Sequence, residues 1–120
     1  MSHSVLVVED DADIQGALVD ILEENGFTAI GVNNGAEALR WLRGGGELPC
    51  LILLDLMMPV MDGASFREVQ RKDPRLAAIP VVVLTAYRDV KRHAANLDGV
   101  TILKKPPDVR ELVGVLQAHC

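Results

Sequence analysis

CLILLD, residues 50–55, is the most continuously apolar run in this 120-residue sequence. Five residues without a charge, Cys50 to Leu54, are followed by one acid, Asp55. A run that does not alternate with polar residues is typical of a strand buried on both faces, as at the centre of a parallel sheet. We therefore predict that this segment is the central strand and that Asp55 stands at its carboxyl end.

Working outward from this segment, shorter apolar runs alternate with amphipathic ones. The runs predict strands at SVLVV (4–8), FTAIGV (27–32), VVVLT (81–85) and VTILK (100–104). Between and after the strands, apolar residues at three- and four-residue steps predict helices from about residue 12 to Asn25-Gly26, from Gly35 to Gly44, over 63–72, over 89–97, and from Pro107-Asp108 onward. We read Asp11 and Asp62 as helix N-caps. The alternation predicts an α/β fold: one domain over 1–120, a doubly wound five-stranded parallel sheet with helices on both faces.

Composition excludes several classes of protein. The net charge of −5 argues against binding nucleic acid over a broad face. No apolar run approaches the roughly 20 residues that span a bilayer, and the first ten residues contain Glu9 and Asp10 but no basic leader. Cys50 and Cys120 have no metal-ligand spacing, so we expect reduced cysteines in a cytoplasmic protein.

Polar residues follow the strands where the strands end. Glu9 and Asp10 follow the first, Asp55 ends the third, Thr85 ends the fourth, and Lys104 and Lys105 end the fifth. Parallel strands bring their carboxyl ends to one edge of a sheet. Clustered carboxylates repel each other unless a cation intervenes, and an all-oxygen acidic pocket suits Mg²⁺. A lysine and a hydroxyl beside it are the groups that a transferred phosphoryl group requires.

These residues resemble the receiver domains of two-component response regulators over essentially the whole chain. The similarity is carried by VLVVEDD at the first strand, LLDLMMPVMDG after the third, VVVLTA at the fourth, ILKKP at the fifth and NNGAEAL before the second helix. The resemblance implies a flavodoxin-like strand order of 2-1-3-4-5.

The resemblance also implies a role for each matching residue. Asp55 would accept the phosphoryl group, and Asp10, Glu9, Asp55 and the backbone carbonyl of Met57 would bind Mg²⁺. Lys105 would pair with the phosphoryl oxygens, whereas Lys104 should point away. Thr85 would move to hydrogen-bond the phosphoryl group. The Lys105–Pro106 bond is often cis in the family.

The implied function is a phosphorylatable signalling switch that is not a turnover enzyme. A sensor histidine kinase or phosphotransfer protein would donate the phosphoryl group, and a further protein would read the change. The chain departs from the family where Ile102 replaces the aromatic switch residue, where Pro107 replaces the customary Phe, and where the fourth helix is shortened. We therefore expect the signal to be read at residues 86–97 rather than by rotation of Ile102.

Two alternatives stay open. The chain could be a degenerate receiver that acts only as a protein-binding module, although all five of the expected polar residues are present. It could also be a phosphohydrolase with an aspartyl nucleophile, but the second acid that such enzymes usually place two positions on is here Met57. A nucleotide- or flavin-binding domain would need a glycine-rich loop after the first strand, where this chain has three acids.

Overall fold

The computed structural model describes residues 3–56, 58, 60–85, 100–105 and 107–120. Five parallel strands form one sheet in the order β2-β1-β3-β4-β5. The strands are β1 (Ser4–Val8), β2 (Thr28–Val32), β3 (Leu51–Leu54), β4 (Val81–Thr85) and β5 (Thr101–Lys104). The predicted fold class and strand order are confirmed, and β3 lies at the centre of the sheet.

Four described helices begin at side-chain caps. They are α1 (Ala12–Glu24), α2 (Gly35–Leu42), α3 (Gly63–Lys72) and α4 (Val109–His119), capped by Asp11, Asn34, Asp62 and Asp108. Each cap side chain accepts a hydrogen bond from a backbone N–H that has no partner inside the helix. The predicted caps Asp11 and Asp62 are confirmed. No described helix combines the length and the apolar character needed to cross a membrane.

Some element boundaries differ from the prediction. β2 begins at Thr28 because the Phe27 N–H donates to the Leu22 carbonyl at 3.0 Å, which closes α1 after Gly26 turns at φ 88°. Pro107 lies before the cap Asp108 rather than in the first turn of α4. The predicted helix at 89–97 and the predicted signal-reading segment 86–97 lie outside the described residues.

Both faces of the sheet are covered, as a doubly wound fold requires. On one face, alternate residues of β1, β3 and β4 pack with Ala38, Leu39 and Leu42 of α2 and Phe66 of α3. On the other face, the intervening strand residues pack with Leu18 and Leu22 of α1 and Leu112 and Leu116 of α4. The unbroken apolar strands therefore reflect burial on both sides.

The two cysteines are joined in a disulfide. Cys50 immediately precedes β3 and Cys120 caps α4, with their Cα atoms 5.5 Å apart across 70 residues of sequence. The expectation of reduced cysteines is therefore wrong for this structure. The start of β3 and the end of α4 meet at the amino-end edge of the sheet, and sequence spacing does not reveal such a long-range approach.

Candidate functional site

The predicted site residues lie along the carboxyl-end edge of the sheet. Hydrogen bonds continue the strand ladders past the assigned ends: the Asp55 N–H donates to the Val8 carbonyl at 3.0 Å, and the Lys105 N–H donates to the Thr85 carbonyl at 3.1 Å. These bonds hold Asp55 beside β1 and Lys105 beside β4. Main-chain hydrogen bonds thereby fix the positions of Asp55 and Lys105 relative to strands that are distant from them in sequence.

Three carboxylates form a cluster at this edge. One oxygen from each of Glu9, Asp10 and Asp55 lies within 4.8 Å of the other two. Glu9 is only 2% exposed and Asp55 6%, whereas Asp10 is exposed. The cluster is therefore open to solvent on the Asp10 side and closed by protein on the Glu9 side.

Lys105 neutralises part of the negative charge. Its Nζ lies 2.7 Å from Glu9 Oε1 and 3.2 Å from Asp55 Oδ2. The neighbouring Lys104 is exposed. The structure therefore brings Lys105, the lysine that the family resemblance selects, to the carboxylates. Alternation along β5 predicts that only one of the two lysines faces the site.

Crowding and burial change the protonation of Glu9. The pKa of its carboxyl group is raised from 4.5 to about 8. Burial is the main cause, a hydrogen bond with Asp55 and the charge of Asp55 add to it, and the Lys105 ammonium offsets part of the increase. Burial lowers the pKa of Lys105, but bonding to Glu9 and the charge of Asp55 outweigh burial, so that this pKa is raised overall. In the absence of a metal, the cluster therefore holds a proton near neutral pH.

Two buried oxygen atoms have no hydrogen-bond partner among the described residues. They are Glu9 Oε2, in the cluster, and Thr85 Oγ1, on a residue that is 0% exposed. A buried polar atom without a partner is unfavourable, and such atoms are frequently completed by a ligand or ion. The carboxylate and hydroxyl therefore have unused capacity at the edge where the sequence predicts a metal and a phosphoryl group.

The chemistry of these donors fits the implied Mg²⁺. Mg²⁺ prefers oxygen ligands and takes one or two carboxylates while keeping several waters. The cluster offers three carboxylates on a partly open side, and Glu9 Oε2 is a buried acceptor without a partner among the described residues. The predicted ligand Met57 and the predicted cis bond at Pro106 lie outside the described residues.

The loop after Asp55 depends on a glycine whose role the sequence analysis did not identify. A Cβ atom on Gly63 would collide with the carbonyl oxygen of Asp55 and lie 2.8 Å from Leu56 Cα. The Gly63 N–H also donates to the Leu56 carbonyl at 2.9 Å. The Asp62-Gly63 pair is a visible turn signal, but only the fold shows that the first turn of α3 packs directly against the Asp55 backbone.

The predicted switch position Ile102 lies on β5 and is 36% exposed. It belongs to an edge strand, of which only Leu103 is buried. Thr85, by contrast, is fully buried at the end of β4.

Comparison with known proteins agrees with this geometry. The model of the response regulator receiver domain matches residues 5–117. A 14.6 kDa protein of Leptolyngbya boryana is 38% identical over 118 residues, covering 97% of this chain and 88% of that protein. The DNA-binding response regulator MtrA of Mycobacterium tuberculosis H37Rv is 36% identical and aligns with 99% of this chain, which spans 51% of MtrA.

A solved structure shows the same fold. The signal receiver domain of a signal transduction histidine kinase from Syntrophus aciditrophicus superposes with a TM-score of 0.84 at 34% identity, covering 96% of this chain and 87% of that one.

Proposed function

The chain belongs to the response regulator receiver domain family, and from this premise we propose that it is a switch phosphorylated on Asp55. Receiver domains are signalling switches rather than classical enzymes, and they bind Mg²⁺ in an acidic pocket. The observation that carries the assignment is the position of Asp55. Its carboxylate lies in the cluster with Glu9 and Asp10 and is contacted by Lys105 at 3.2 Å.

In the proposed reaction, a carboxylate oxygen of Asp55 attacks the phosphorus of a phosphohistidine on the donor protein. The new P–O bond forms in line as the P–N bond breaks, and the imidazole leaves with the electron pair. Glu9, Asp10, Asp55 and the Met57 carbonyl would hold Mg²⁺, which when bound supplies positive charge to the phosphoryl oxygens. The acyl phosphate is later hydrolysed by water, which returns Asp55 to its free state.

Two further side chains complete the proposed site. Lys105 already pairs with Asp55, so a small movement brings its ammonium to a phosphoryl oxygen. The Thr85 hydroxyl, which is buried without a partner among the described residues, gains an acceptor when the phosphoryl group arrives. This gain favours the phosphorylated conformation.

The proposed setting follows from the family and from the composition. A sensor histidine kinase or a phosphotransfer protein would be the donor in the cytoplasm, and a protein of unidentified class would read the switch. MtrA is described as DNA-binding, but the present chain spans only about half of its length. The net charge of −5 argues against direct binding of nucleic acid by this chain. We propose that residues 1–120 form one receiver domain.

The residue at the family's aromatic switch position differs in this chain. Ile102 is branched at Cβ and is restricted about χ1, so it cannot act as a rotating aromatic switch. We propose that residues 86–97 transmit the signal. Hydrogen exchange with and without a beryllofluoride mimic of the acyl phosphate tests this, and a response confined to other segments would exclude it.

The central assignment is tested with acetyl phosphate and Mg²⁺. Intact-mass spectrometry should show one added phosphoryl group on the wild-type protein and none on Asp55→Asn, which retains the size of the side chain. Full uptake by the Asn variant would exclude Asp55 as the acceptor. No uptake and no phosphate release by wild type would favour the binding-module alternative. Rapid release of phosphate without accumulation of the phosphorylated protein would favour the phosphohydrolase, because the switch releases phosphate only as fast as its acyl phosphate decays.

A further inference from the structure

Gln15 of α1 reaches across the carboxyl-end edge of the sheet to two strands. Its side-chain amide nitrogen donates to the Glu9 carbonyl at 2.8 Å and to the Val32 carbonyl at 2.9 Å, and it lies 3.2 Å from Asn33 Oδ1. One amide group therefore joins the residue after β1 to the end of β2.

The bond to Glu9 concerns the backbone of the acidic cluster. The Glu9 N–H donates to the Val32 carbonyl at 3.0 Å, and the Glu9 carbonyl accepts from Gln15. Both sides of this residue are thereby anchored to the β2 side of the sheet. The carbonyl of Glu9 belongs to the peptide that links Glu9 to Asp10, so its orientation constrains the directions in which the two side chains leave the backbone.

The surroundings of Gln15 hold its amide in this orientation. The Asn33 N–H and side-chain nitrogen donate to Glu37 at 3.2 and 3.3 Å, which leaves Asn33 Oδ1 to face Gln15. On the strand below, Gly31 has no Cβ. A Cβ there would collide with Gln15 Oε1 and lie 2.7 Å from Gln15 Cδ.

We propose that Gln15 is a positioning residue for the metal site, and that Gly31 provides the space that its side chain needs. This inference rests on the proposed Mg²⁺-dependent function and adds a residue pair to it. Groups that hydrogen-bond to the residues that ligate a metal contribute strongly to metal affinity, although they do not contact the metal themselves. Without the amide donor, the Glu9–Asp10 peptide loses one of its anchors and the carboxylates are less well placed to share a cation.

The chain offers matched variants for a test. Gln15→Met keeps the length of the side chain but removes the donor. Gly31→Ala leaves Gln15 intact but occupies its space. Gly16→Ala is the control, because a Cβ at that neighbouring position on α1 meets nothing within 4 Å.

Mg²⁺ affinity is measured by isothermal titration calorimetry, and folding by urea unfolding in metal-free buffer. We expect Gln15→Met and Gly31→Ala each to weaken Mg²⁺ binding about tenfold, and Gly16→Ala to leave it unchanged. In the Gln15→Met background, Gly31→Ala should have no further effect on affinity, because both changes remove the same contact.

Other outcomes would overturn the inference. If both variants lower the unfolding free energy but bind Mg²⁺ as wild type does, Gln15 only packs α1 against the sheet. If the two effects on affinity add, Gly31 does not act through Gln15. If Gln15→Met fails to fold, Gly31→Ala alone decides, and unchanged affinity rejects the proposal. Absence of Mg²⁺ binding by the wild-type protein would instead reject the proposed function, and the positioning role with it.

Discussion

The two edges of the sheet differ in how their polar groups are arranged. At the carboxyl-end edge, carboxylates crowd within 4.8 Å and two buried oxygens have no partner among the described residues. At the amino-end edge, the disulfide between Cys50 and Cys120 joins β3 to α4, and the Cys50 N–H donates to the Ser4 carbonyl at 2.9 Å. The comparison indicates that crowded carboxylates are concentrated at the carboxyl-end edge, which holds the candidate site, while a covalent crosslink lies at the amino-end edge.

The largest expected effect is a loss of stability when the disulfide at the amino-end edge is reduced. Reduction of the disulfide should lower the free energy of unfolding by about 4 kcal/mol, because the crosslink restricts a loop of some 70 residues in the unfolded chain. Urea unfolding with and without a dithiol reductant measures this. Mg²⁺ affinity is the internal control and should stay unchanged, since the crosslink lies at the edge away from the carboxylates. Unaltered stability with both thiols shown to be free would contradict the prediction.

The second effect is on the rate of phosphorylation at the carboxyl-end edge. Lys105→Ala should slow phosphorylation by acetyl phosphate about 100-fold, because it removes the ammonium that contacts Glu9 and Asp55. Lys104→Ala, which removes an exposed lysine one position earlier, is the matched control and should be near neutral. The opposite ranking of the two variants in the same assay would show that Lys105 is not the phosphate partner.

A third prediction sharpens the comparison through pH. The raised pKa of Glu9 means that the folded protein keeps a proton that the unfolded chain loses as the pH passes 4.5. Its contribution to stability therefore falls as the pH rises from 4.5 to about 8 and is constant above that. In metal-free buffer, the free energy of unfolding of the wild-type protein should fall by between about 2 and about 3 kcal/mol relative to that of Glu9→Gln as the pH rises from about 5.5 to about 7.5.

The matched control for Glu9 is Glu23→Gln, at an exposed carboxylate on α1. The free energy of unfolding of Glu23→Gln should change with pH in the same way as that of the wild-type protein over this range. If the free energies of unfolding of wild type and Glu9→Gln change equally with pH, Glu9 does not carry a proton in the folded protein.

The smallest effect lies in the loop after Asp55. Val60 is 87% exposed and has φ 68°, which is unfavourable for a β-branched residue. Val60→Asn should raise the free energy of unfolding by about 1 kcal/mol, because asparagine tolerates the left-handed conformation. Val109→Asn, at an exposed valine in the first turn of α4, should give no such gain. A loss of stability at position 60 would show that the valine side chain makes a favourable contact.

Local sequence predicted the elements well, because each depends on nearby residues. The buried run before Asp55 indicated the central strand, and Asp11 and Asp62 indicated the caps that the structure contains. The boundary errors at Phe27 and Pro107 have a local cause as well. Propensity does not distinguish the last residue of a connection from the first residue of a strand or helix.

The site residues were accessible from the sequence for a different reason. Parallel strands bring their carboxyl ends to one edge, so Glu9, Asp10, Asp55 and Lys105 could be grouped without coordinates. Their individual roles in phosphorylation stay predictions, as do those of Thr85 and Ile102. The distances among the carboxylates could not be predicted, because they depend on side-chain packing. For the same reason, the sequence did not show that Glu9 Oε2 and Thr85 Oγ1 are buried without a partner among the described residues.

By itself, the sequence determined the order of strands and helices and which polar residues meet at one edge, since periodicity and chain direction suffice for both. The tertiary structure alone decided that Cys50 meets Cys120, that Gly31 makes room for Gln15, and that Gly63 packs against Asp55. Each of these contacts joins two elements, so it depends on how closely they approach. Burial likewise decided the protonation of Glu9, because desolvation is a property of the packed site and not of the residue.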